Sequence, residues 1–360
     1  MNLSRSGAIL SMVLFSFLLI LCVPFSGLAG RAVGSESDEL VRRRQHVMGT
    51  TLEIAVRARN RTSALTASEA ASRAVAEADR RLSTWREDSE LSAVNNRDSD
   101  QPLELSPKLA RDLAEALSWH RKTGGSFSPG LGAQVLAWDL RGAGRVPNDS
   151  ELQEALLAST VEGTNLVDHV LHFGVPGLQF EEGGFGKGVA LRDAVESALA
   201  NGAECVVLDF GGQVAVGGDC GATAIGVSDP GARRQEIAVL ELIEGSAATS
   251  GLSERHFEVD GIRRGHILDP HTGVPAPDWG GVTVVASDPV VADCVATALF
   301  VMGPVRGREW VQAHEGIEAV FAERKGSRAE LSATPGLRGR LRSFEEKIDF
   351  LPLADQRMNH

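Results

Sequence analysis

Residues 181–190 read EEGGFGKGVA, so that a single lysine, Lys187, stands between two glycines and shortly after two carboxylates. Glycines let the backbone approach a ligand closely, and the N–H groups that open a helix attract anions. The stretch could therefore cradle a diphosphate. Its spacing matches neither of the common glycine-rich nucleotide motifs, and an ordinary glycine-rich turn into a helix explains it equally well.

A carboxylate and a hydroxyl, Asp293 and Thr297, stand four residues apart in VVADCVATALF. On a helix this spacing puts both side chains on one face. Such hard oxygen ligands suit magnesium, which keeps several waters and shares substrate phosphates instead of taking a full protein cage. Taken alone, the pair is more simply interpreted as a helix cap or as the partner of a basic residue.

Two further segments carry candidate groups. Residues 265–275, GHILDPHTGVP, contain His266 and His271 beside turn residues that explain most of the segment without a function. Trp85 stands in the polar segment LSTWREDSEL. It could stack on a planar ring or belong to the core, and the two interpretations are equally good.

The elements that must position these groups interleave helices and strands irregularly. Caps, breakers and apolar spacing predict helices over residues 63–82, from Pro107 behind the N-cap Ser106, after Lys187 as far as Gly202, and over residues 289–302. Short strand-like runs such as CVVLDFGG and VTVVAS lie between them. The pattern predicts an α+β fold with mixed or antiparallel sheets and packed helices.

The bulk composition limits the kinds of partner. The chain has 360 residues, is 43% hydrophobic and carries a formal net charge of -12. It is long and apolar enough for a globular protein with a substantial core. An acidic surface attracts neither nucleic acid nor anionic lipid, so no nucleic-acid partner is expected and any phosphate must be bound locally.

The N-terminus has the order of a secretory signal over residues 1–29: Arg5, an apolar run from Ala8, then small residues ending at Ala29. Cleavage there predicts an exported, periplasmic protein. An uncleaved anchor in the inner membrane is the alternative, because the run is only slightly shorter than a span of about 20 residues. Lipidation at Cys22 is disfavoured, since the bulky Leu21 precedes it.

Beyond the signal, residues 30–43 are polar and are predicted to be a linker, residues 44–324 the folded domain, and residues 325–360 a polar C-terminal extension. The mature chain keeps Cys205, Cys220 and Cys294 without CxxC spacing. That number permits one disulfide at most and argues against a zinc site.

Eight ordered stretches across residues 46–303 resemble those of the FAD:protein FMN transferases, the ApbE-type flavin transferases. They are HVMGTT, LSTWREDSEL, TGGSFSPGLG, EEGGFGKGVA, VVLDFGGQVAVGG, TSGLSERHFEVDG, GHILDPHTG and VTVVASDPVVADCVATALFVMG. Their joint order is far more specific than any one motif. The resemblance implies the ApbE-like fold and an enzyme that cleaves FAD with magnesium. It would attach FMN through a phosphoester to a Thr or Ser of an exported acceptor flavoprotein and release AMP.

The resemblance also implies roles for particular residues. Magnesium would be held by Asp293, Thr297 and the carbonyl of Gly184, and Lys187 would approach FAD from the glycine turn. Lys187 and Asp293 are therefore expected catalytic residues. A neutral imidazole is available near pH 7, so by chemistry His266 is the expected third catalytic residue, as the base for the acceptor hydroxyl, with His256 as the alternative. The expected FAD contacts are Met48, Trp85, Ser126, Phe127, Ser128, Glu181, Lys187 and Leu268.

Some positions depart from the family pattern. Ser128 and Arg192 stand where aspartates are usual, Glu181 replaces a shorter acid, and Trp85 replaces a tyrosine. Two other functions are compatible with the same residues: a magnesium-dependent FAD pyrophosphatase, with water in place of the acceptor hydroxyl, and a non-catalytic exported FAD-binding protein. The chain's own segment 220–223, CGAT, lacks the acid expected in an acceptor motif, so the acceptor is expected to be another protein.

Overall fold

The computed structural model describes residues 39–252, 256–259, 261–326, 328–344 and 347–352. The predicted signal peptide, residues 30–38 of the predicted linker and residues 353–360 lie outside these ranges. All the described residues belong to one compact unit, Glu36–His360.

Seventeen strands and seven α-helices make up the described part of the chain. The strands are β1 Glu39–Val47, β2 Thr50–Ala58, β3 Leu103–Glu104, β4 Asn165–Val167, β5 Val170–His172, β6 Cys205–Phe210, β7 Gln213–Gly218, β8 Thr223–Asp229, β9 Ala232–Leu242, β10 Gly245–Gly251, β11 His256–Val259, β12 Ile262–Gly265, β13 Gly280–Ala286, β14 Ile317–Lys325, β15 Arg328–Ala333, β16 Leu341–Ser343 and β17 Ile348–Phe350. The helices are α1 Arg61–Leu82, α2 Glu90–Asn95, α3 Pro107–Lys122, α4 Gly132–Ala137, α5 Asp149–Ala158, α6 Gly186–Ala200 and α7 Pro289–Gln312.

One nine-stranded sheet, in the order β1-β2-β6-β7-β10-β13-β14-β15-β17, forms the centre of the fold. Its neighbouring strands run antiparallel except for the last pair, β15 and β17, which is parallel. A two-stranded sheet of β11 and β12 and two three-stranded sheets, β16-β9-β8 and β3-β5-β4, stand outside it. The predicted α+β class with mixed and antiparallel sheets is confirmed.

Helices α6 and α7 pack side by side and carry the glycine turn and the Asp293 face. α6 lies against α1, β6 and β7, and apolar residues of these elements, among them Ala190 and Leu208, form one buried cluster. α7 lies on β10 and β13 and contributes Val295 and Phe300 to the largest cluster. The core thus fixes both helices that bear the candidate chemistry.

The predicted helix boundaries agree closely with the structure where caps are explicit. Ser106 accepts a hydrogen bond from the N–H of Leu109 at 3.3 Å and Pro107 opens α3, as predicted. α7 continues past the predicted stop to Gln312, but Gly303 interrupts it with a φ of 75°, and Pro304 follows. The helix therefore has a break at the residue that was expected to end it.

Helix α7 is also the one described helix that is long and apolar enough to cross a membrane by length and composition. Over half of its most apolar window is buried inside the protein. Its apolar character therefore reflects its place in the core.

Two predicted boundaries are wrong. Residues 39–43 of the predicted linker belong to β1, where Val41 is buried and pairs with Val56 of β2. The predicted extension after residue 324 contains β15, which adds to the main sheet and buries Leu331 and Ala333. In both segments the buried residues alternate with charged ones, and this alternation gave them a polar average composition.

The single disulfide allowed by the cysteine count joins Cys205 at the start of β6 to Cys220 just beyond β7. Cys294 on α7 is buried and free. The disulfide closes the open end of the β6–β7 hairpin.

Candidate active site

Lys187 and Asp293 meet where α6 begins beside α7. The Lys187 Nζ lies 3.0 Å from Asp293 Oδ1, and the N–H of Gly188 donates to Asp293 Oδ2 at 3.0 Å. The N-cap residue of α6, Phe185, makes no side-chain cap bond, so Asp293 from the neighbouring helix satisfies one of the unpaired N–H groups. Asp293 is almost fully buried.

Gly188 is required for this contact between helices. A Cβ at Gly188 would lie 2.5 Å from the carbonyl oxygen of Pro289 and 2.7 Å from the Cα of Val290. Only a residue without a side chain lets α6 approach the first turn of α7 so closely. The glycine after Lys187 therefore brings the lysine to the aspartate.

Gly184 and Thr297 are also adjacent. A Cβ on Gly184 would lie 3.2 Å from Thr297 Oγ1 and 3.0 Å from Phe127 Cε2. The structure thus brings Gly184, Thr297 and Phe127 into one contact. Asp293 precedes Thr297 by one helical turn, so the three residues predicted to hold magnesium lie together where the glycine turn meets α7.

Met48 lies over the same helix start. Met48 and Gly49 form a two-residue hairpin loop between β1 and β2, with φ values of 47° and 70°. This left-handed backbone is uncommon for a residue other than glycine and costs on the order of 1–3 kcal/mol. The Met48 Cε lies 3.3 Å from the position of a Cβ on Gly186, so the strained loop holds the side chain against α6.

Ser126, Phe127 and Ser128 follow α3 as a buried loop. The Thr123 hydroxyl accepts the Phe127 N–H at 3.2 Å, and His120 Nδ1 lies 3.0 Å from the Phe127 carbonyl oxygen. Ser128 Oγ accepts from the Gly130 N–H at 3.2 Å. The hydroxyl at position 128 therefore stabilises the loop internally.

Trp85 stands at the edge of the site with 55% of its surface exposed. The guanidinium carbon of Arg141 lies 5.8 Å from the centre of its ring. Arg141 also pairs with Glu181 and donates to the Thr84 hydroxyl at 2.6 Å. Arg141 thus links the predicted stacking residue to the predicted acid, and an exposed aromatic face is left for a ligand.

Glu182 is the buried member of the two carboxylates. Its Oε2 accepts the Thr84 hydroxyl at 2.6 Å and its Oε1 accepts the Thr84 N–H at 3.1 Å. Burial, and then the neighbouring charge of Glu181, raise the pKa of Glu182 to about 7. Burial also raises the pKa of Glu181, against the opposing effect of Arg141.

Leu268 and His266 belong to the segment after β12. Leu268 is buried with Val135 and Trp138, and its backbone bridges Pro275. His266 directly follows β12 and is half-buried. The side chain of His256, the alternative base, lies outside the described residues.

His271 ties this segment to the loop after α3. Its Nδ1 lies 3.2 Å from Asp269 Oδ1 and its Nε2 lies 3.1 Å from the Gly124 carbonyl oxygen. Beside that junction a cavity of about 500 Å³ is lined by residues that include Ser128, His120, Glu162 and His271. Among the described lining residues, Ser128 is the only predicted site residue, so this cavity is not where the magnesium ligands converge.

The departure at position 192 has a structural explanation. Arg192 binds Glu115 at 2.7 Å and Asp288 at 3.4 Å, and Asp193 binds the buried Arg81 at 2.8 Å. Burial is the largest single influence on the pKa of Arg192 and lowers it, but the surrounding carboxylates together outweigh it and raise the pKa. These ion pairs join α6 to α1, to α3 and to the N-cap of α7, and do not include the predicted ligands.

Sequence reasoning missed three residues of the site: Thr84, Arg141 and Glu182. Arg141 reaches Glu181 across 40 positions and Thr84 across 57, a pairing that no local pattern reports. For Glu182 the signal was present, because a second acid stands beside Glu181 in an otherwise apolar and glycine-rich stretch.

The donor set suits magnesium more than a transition metal. In the described part of the chain no three His, Cys, Asp or Glu side chains form a metal-binding cluster. A carboxylate, a hydroxyl and a carbonyl are hard oxygen donors. Three protein ligands are enough for magnesium, because waters and substrate phosphates complete its coordination shell.

Comparison with known proteins shows what the chain is similar to. The profile of the ApbE family matches residues 48–321. A FAD:protein FMN transferase of Treponema pallidum is 33% identical over 263 residues, which cover 67% of this chain and 72% of the relative. Another of Vibrio cholerae is 29% identical over 251 residues, which cover 68% of this chain and 75% of the relative.

Solved structures share the fold. The ApbE protein of Thermotoga maritima superimposes with a TM-score of 0.72 at 28% identity, covering 85% of this chain and 97% of that one. The flavin transferase ApbE of Vibrio cholerae gives a TM-score of 0.73 at 25% identity, covering 84% and 99%.

Proposed function

The chain belongs to the ApbE family, and we propose that it is a magnesium-dependent FAD:protein FMN transferase. In this proposal it attaches FMN through a phosphoester to a threonine or serine of an exported acceptor flavoprotein and releases AMP. The FAD:protein FMN transferase activity is that of its curated relatives. The metal, the acceptor and the released nucleotide are the proposed parts.

The observation that carries the proposal is the convergence of Asp293, Thr297 and Gly184 where α6 meets α7. Each Asp293 oxygen accepts one hydrogen bond, from Lys187 or from Gly188, and keeps a further lone pair for a metal ion. Thr297 Oγ1 faces Gly184 across a gap that a Cβ would fill. These groups fit magnesium, which would neutralise phosphate charge when bound.

Flavin binding is assigned to the exposed side of the same site. Trp85 offers an open ring face, Met48 is held over α6 by a strained loop, and Phe127 packs on Gly184. Apolar surfaces on either side of a planar ring exclude water from it and fix its orientation. Arg141, bound to Glu181, keeps the segment that carries Trp85 in place.

The chemistry then requires positioning and neutralisation of charge. The acceptor hydroxyl oxygen attacks the phosphorus on the FMN side, the bond from that phosphorus to the bridging oxygen breaks, and AMP leaves with the bond electrons. His266 takes the hydroxyl proton. Lys187, at the N-terminal end of α6, stabilises the negative charge on the phosphate oxygens.

Export is part of the proposal. The signal-like order of residues 1–29 and the Cys205–Cys220 disulfide both support an oxidising compartment, the periplasm, with a retained membrane anchor as the alternative. The acceptor would share that compartment.

The test is mass spectrometry of an acceptor domain after incubation with the protein, FAD and magnesium, with the nucleotides resolved in parallel. A mass gain equal to FMN together with AMP, both lost in Asp293→Asn, is the expected result. Free FMN and AMP without labelling would indicate a pyrophosphatase, and intact FAD a binding protein.

A matched control is Asp288→Asn. Asp288 is an aspartate on the same helix that caps it by accepting the Val290 N–H at 2.7 Å. Asparagine keeps an acceptor for this N–H and removes only the charge that pairs with Arg192, so the variant is expected to keep the transfer activity, because Asp288 is outside the predicted ligand set.

A further inference from the structure

Arg264 lies on β12, two residues before His266. Most of the hydrogen-bond donors of its guanidinium have no partner in the described part of the chain. Its guanidinium carbon lies 5.7 Å from the centre of the Trp138 ring. The side chain is half-buried, and its Nε is shielded from solvent without a hydrogen-bond partner. Among the residues that the structure describes, none forms an ion pair or hydrogen bond with this guanidinium.

This condition sets Arg264 apart from the other arginines. Every other buried or half-buried arginine side chain in the described ranges has a hydrogen-bond or ion-pair partner. Arg81, for example, binds Asp112 at 2.7 Å, and Arg308 binds Glu323. A partly buried guanidinium left unpaired destabilises the free protein, so its presence points to a partner that arrives later.

The surroundings hold Arg264 in place without satisfying it. Phe257 stands directly opposite Arg264 in the β11–β12 pair, and its ring centre lies 6.2 Å from that of Trp138. Trp138 is itself fixed by donating its Nε1–H to the Gly273 carbonyl at 2.7 Å. A guanidinium held within cation–π range of an aromatic ring keeps its planar fork of donors available and loses little freedom on binding.

The chemistry that fits such a group is an oxyanion: either a phosphate of FAD or a carboxylate of the acceptor protein. The phosphates of FAD are already provided for by Lys187 and the predicted magnesium ligands between α6 and α7. Arg264 packs instead beside Trp138 and Phe257, and no described residue of the Lys187–Asp293 junction contacts it. Arg264 lies on the two-stranded sheet outside the main sheet. Its side chain is half-buried, and the proposed base His266 follows two residues later in the sequence.

We propose that Arg264 binds an acidic side chain of the acceptor protein and so positions the acceptor hydroxyl at His266. The inference rests on the proposed function, because it concerns the second substrate of that reaction. Arg264 would be a specificity-determining residue: a bidentate guanidinium–carboxylate pair combines charge with geometry.

The test uses the full chain and an acceptor domain that the wild-type protein labels with FMN. Arg264→Gln is expected to raise the KM for the acceptor at least tenfold while changing kcat, and the Kd for FAD, less than twofold. Arg264→Lys keeps the positive charge but not the planar fork of donors. Its KM for the acceptor is expected to lie between that of the wild type and that of Arg264→Gln. Neutralising the acceptor's Asp and Glu residues one at a time should reveal one whose effect on KM disappears in Arg264→Gln.

The matched control is Arg263→Gln, which removes an exposed guanidinium from the adjacent position of the same strand and is expected to leave the acceptor KM unchanged. An unchanged KM for the acceptor in Arg264→Gln overturns the inference. If this variant loses only thermal stability, Arg264 is a packing residue. A raised Kd for FAD also overturns it, because the guanidinium then serves a phosphate. Absence of labelling by the wild-type chain would count against the proposed function itself.

Discussion

The Asp293 carboxylate lies 3.0 Å from the ammonium group of Lys187 and also accepts the N–H of Gly188. One side chain of α7 thus holds the first turn of α6 and the lysine expected to act on phosphate. A metal ion bound at Asp293 would share this carboxylate with Lys187, so that the metal and the lysine stay close together on the same phosphate groups.

Replacing Asp293 by asparagine tests this arrangement. The amide oxygen keeps an acceptor for Gly188, but the charge that holds Lys187 and the metal is lost. We expect magnesium binding, measured by calorimetry with magnesium alone, to become undetectable and FMN transfer to fall at least a hundredfold. Asp288→Asn should retain both, and magnesium binding in Asp293→Asn equal to that of the wild type would place the metal elsewhere.

Trp85 is the second test, because its ring is largely exposed and offers a face to the flavin. Aromatic pairs contribute about 0.5–1.5 kcal/mol, so Trp85→Ala should raise the Kd for FAD roughly two- to twelvefold. Trp85→Phe should recover most of that loss. The measurement is quenching of flavin fluorescence on titration with protein.

Stability separates this role from a role in the core. Ile243, with 57% of its surface exposed, is a matched exposed apolar residue, and Ile243→Ala should leave the FAD Kd unchanged. Both alanine variants should melt within a degree or two of the wild type. A lower melting temperature for Trp85→Ala at unchanged FAD affinity would make Trp85 a packing residue.

The sequence was sufficient for features whose cause is local. The Ser106–Pro107 start of α3, the Gly303 break and the shared face of Asp293 and Thr297 follow from caps, backbone freedom and helical period. The family resemblance named Met48 as an expected FAD contact, but only the structure shows that its backbone φ is in the left-handed region.

Features with a long-range cause were not predictable in this way. Strand β15 reads as a polar tail because its apolar residues alternate with charges, and its burial depends on β14 as a partner. Arg141 and Thr84 reach the two glutamates from distant segments. Arg192, a departure from the family pattern, finds its role only in the ion pairs between α6, α3 and α7.

The Cys205–Cys220 disulfide gives a third prediction. It closes a loop with a sequence separation of 15, for which the loss of chain entropy corresponds to about 3 kcal/mol of stability. A small reductant should therefore lower the midpoint of urea unfolding. The double variant Cys205→Ser with Cys220→Ser should start at the lower midpoint and no longer respond to reductant.

Cys294 supplies the control for that experiment. It is buried, and burial together with the charge of Asp293 raises the pKa of its thiol, so it should not react in the folded protein. Cys294→Ala should keep the full response to reductant. A response that disappears in this variant would mean that the Cys205–Cys220 bond does not form.

The last prediction concerns Glu182 and the dependence of stability on pH. Its pKa is raised from 4.5 to about 7 in the folded protein, first by burial and then by Glu181. Between these values the folded state holds a proton that the unfolded state has released, so this group's contribution to stability falls as the pH rises from about 4.5 to 7. Above that window Glu182 is ionised in both states, and the cost of burying its charge is fully present.

Glu182→Gln removes the ionisation and keeps an acceptor for the Thr84 N–H. At pH 8 the variant should be more stable than the wild type by up to about 3 kcal/mol, and near pH 4.5 the two should be equal. Urea unfolding at both pH values measures this difference. Glu196→Gln, which changes an exposed carboxylate on α6, should show no such pH dependence. A difference between Glu182→Gln and the wild type that is the same at both pH values would mean that the carboxyl group does not change its protonation on unfolding.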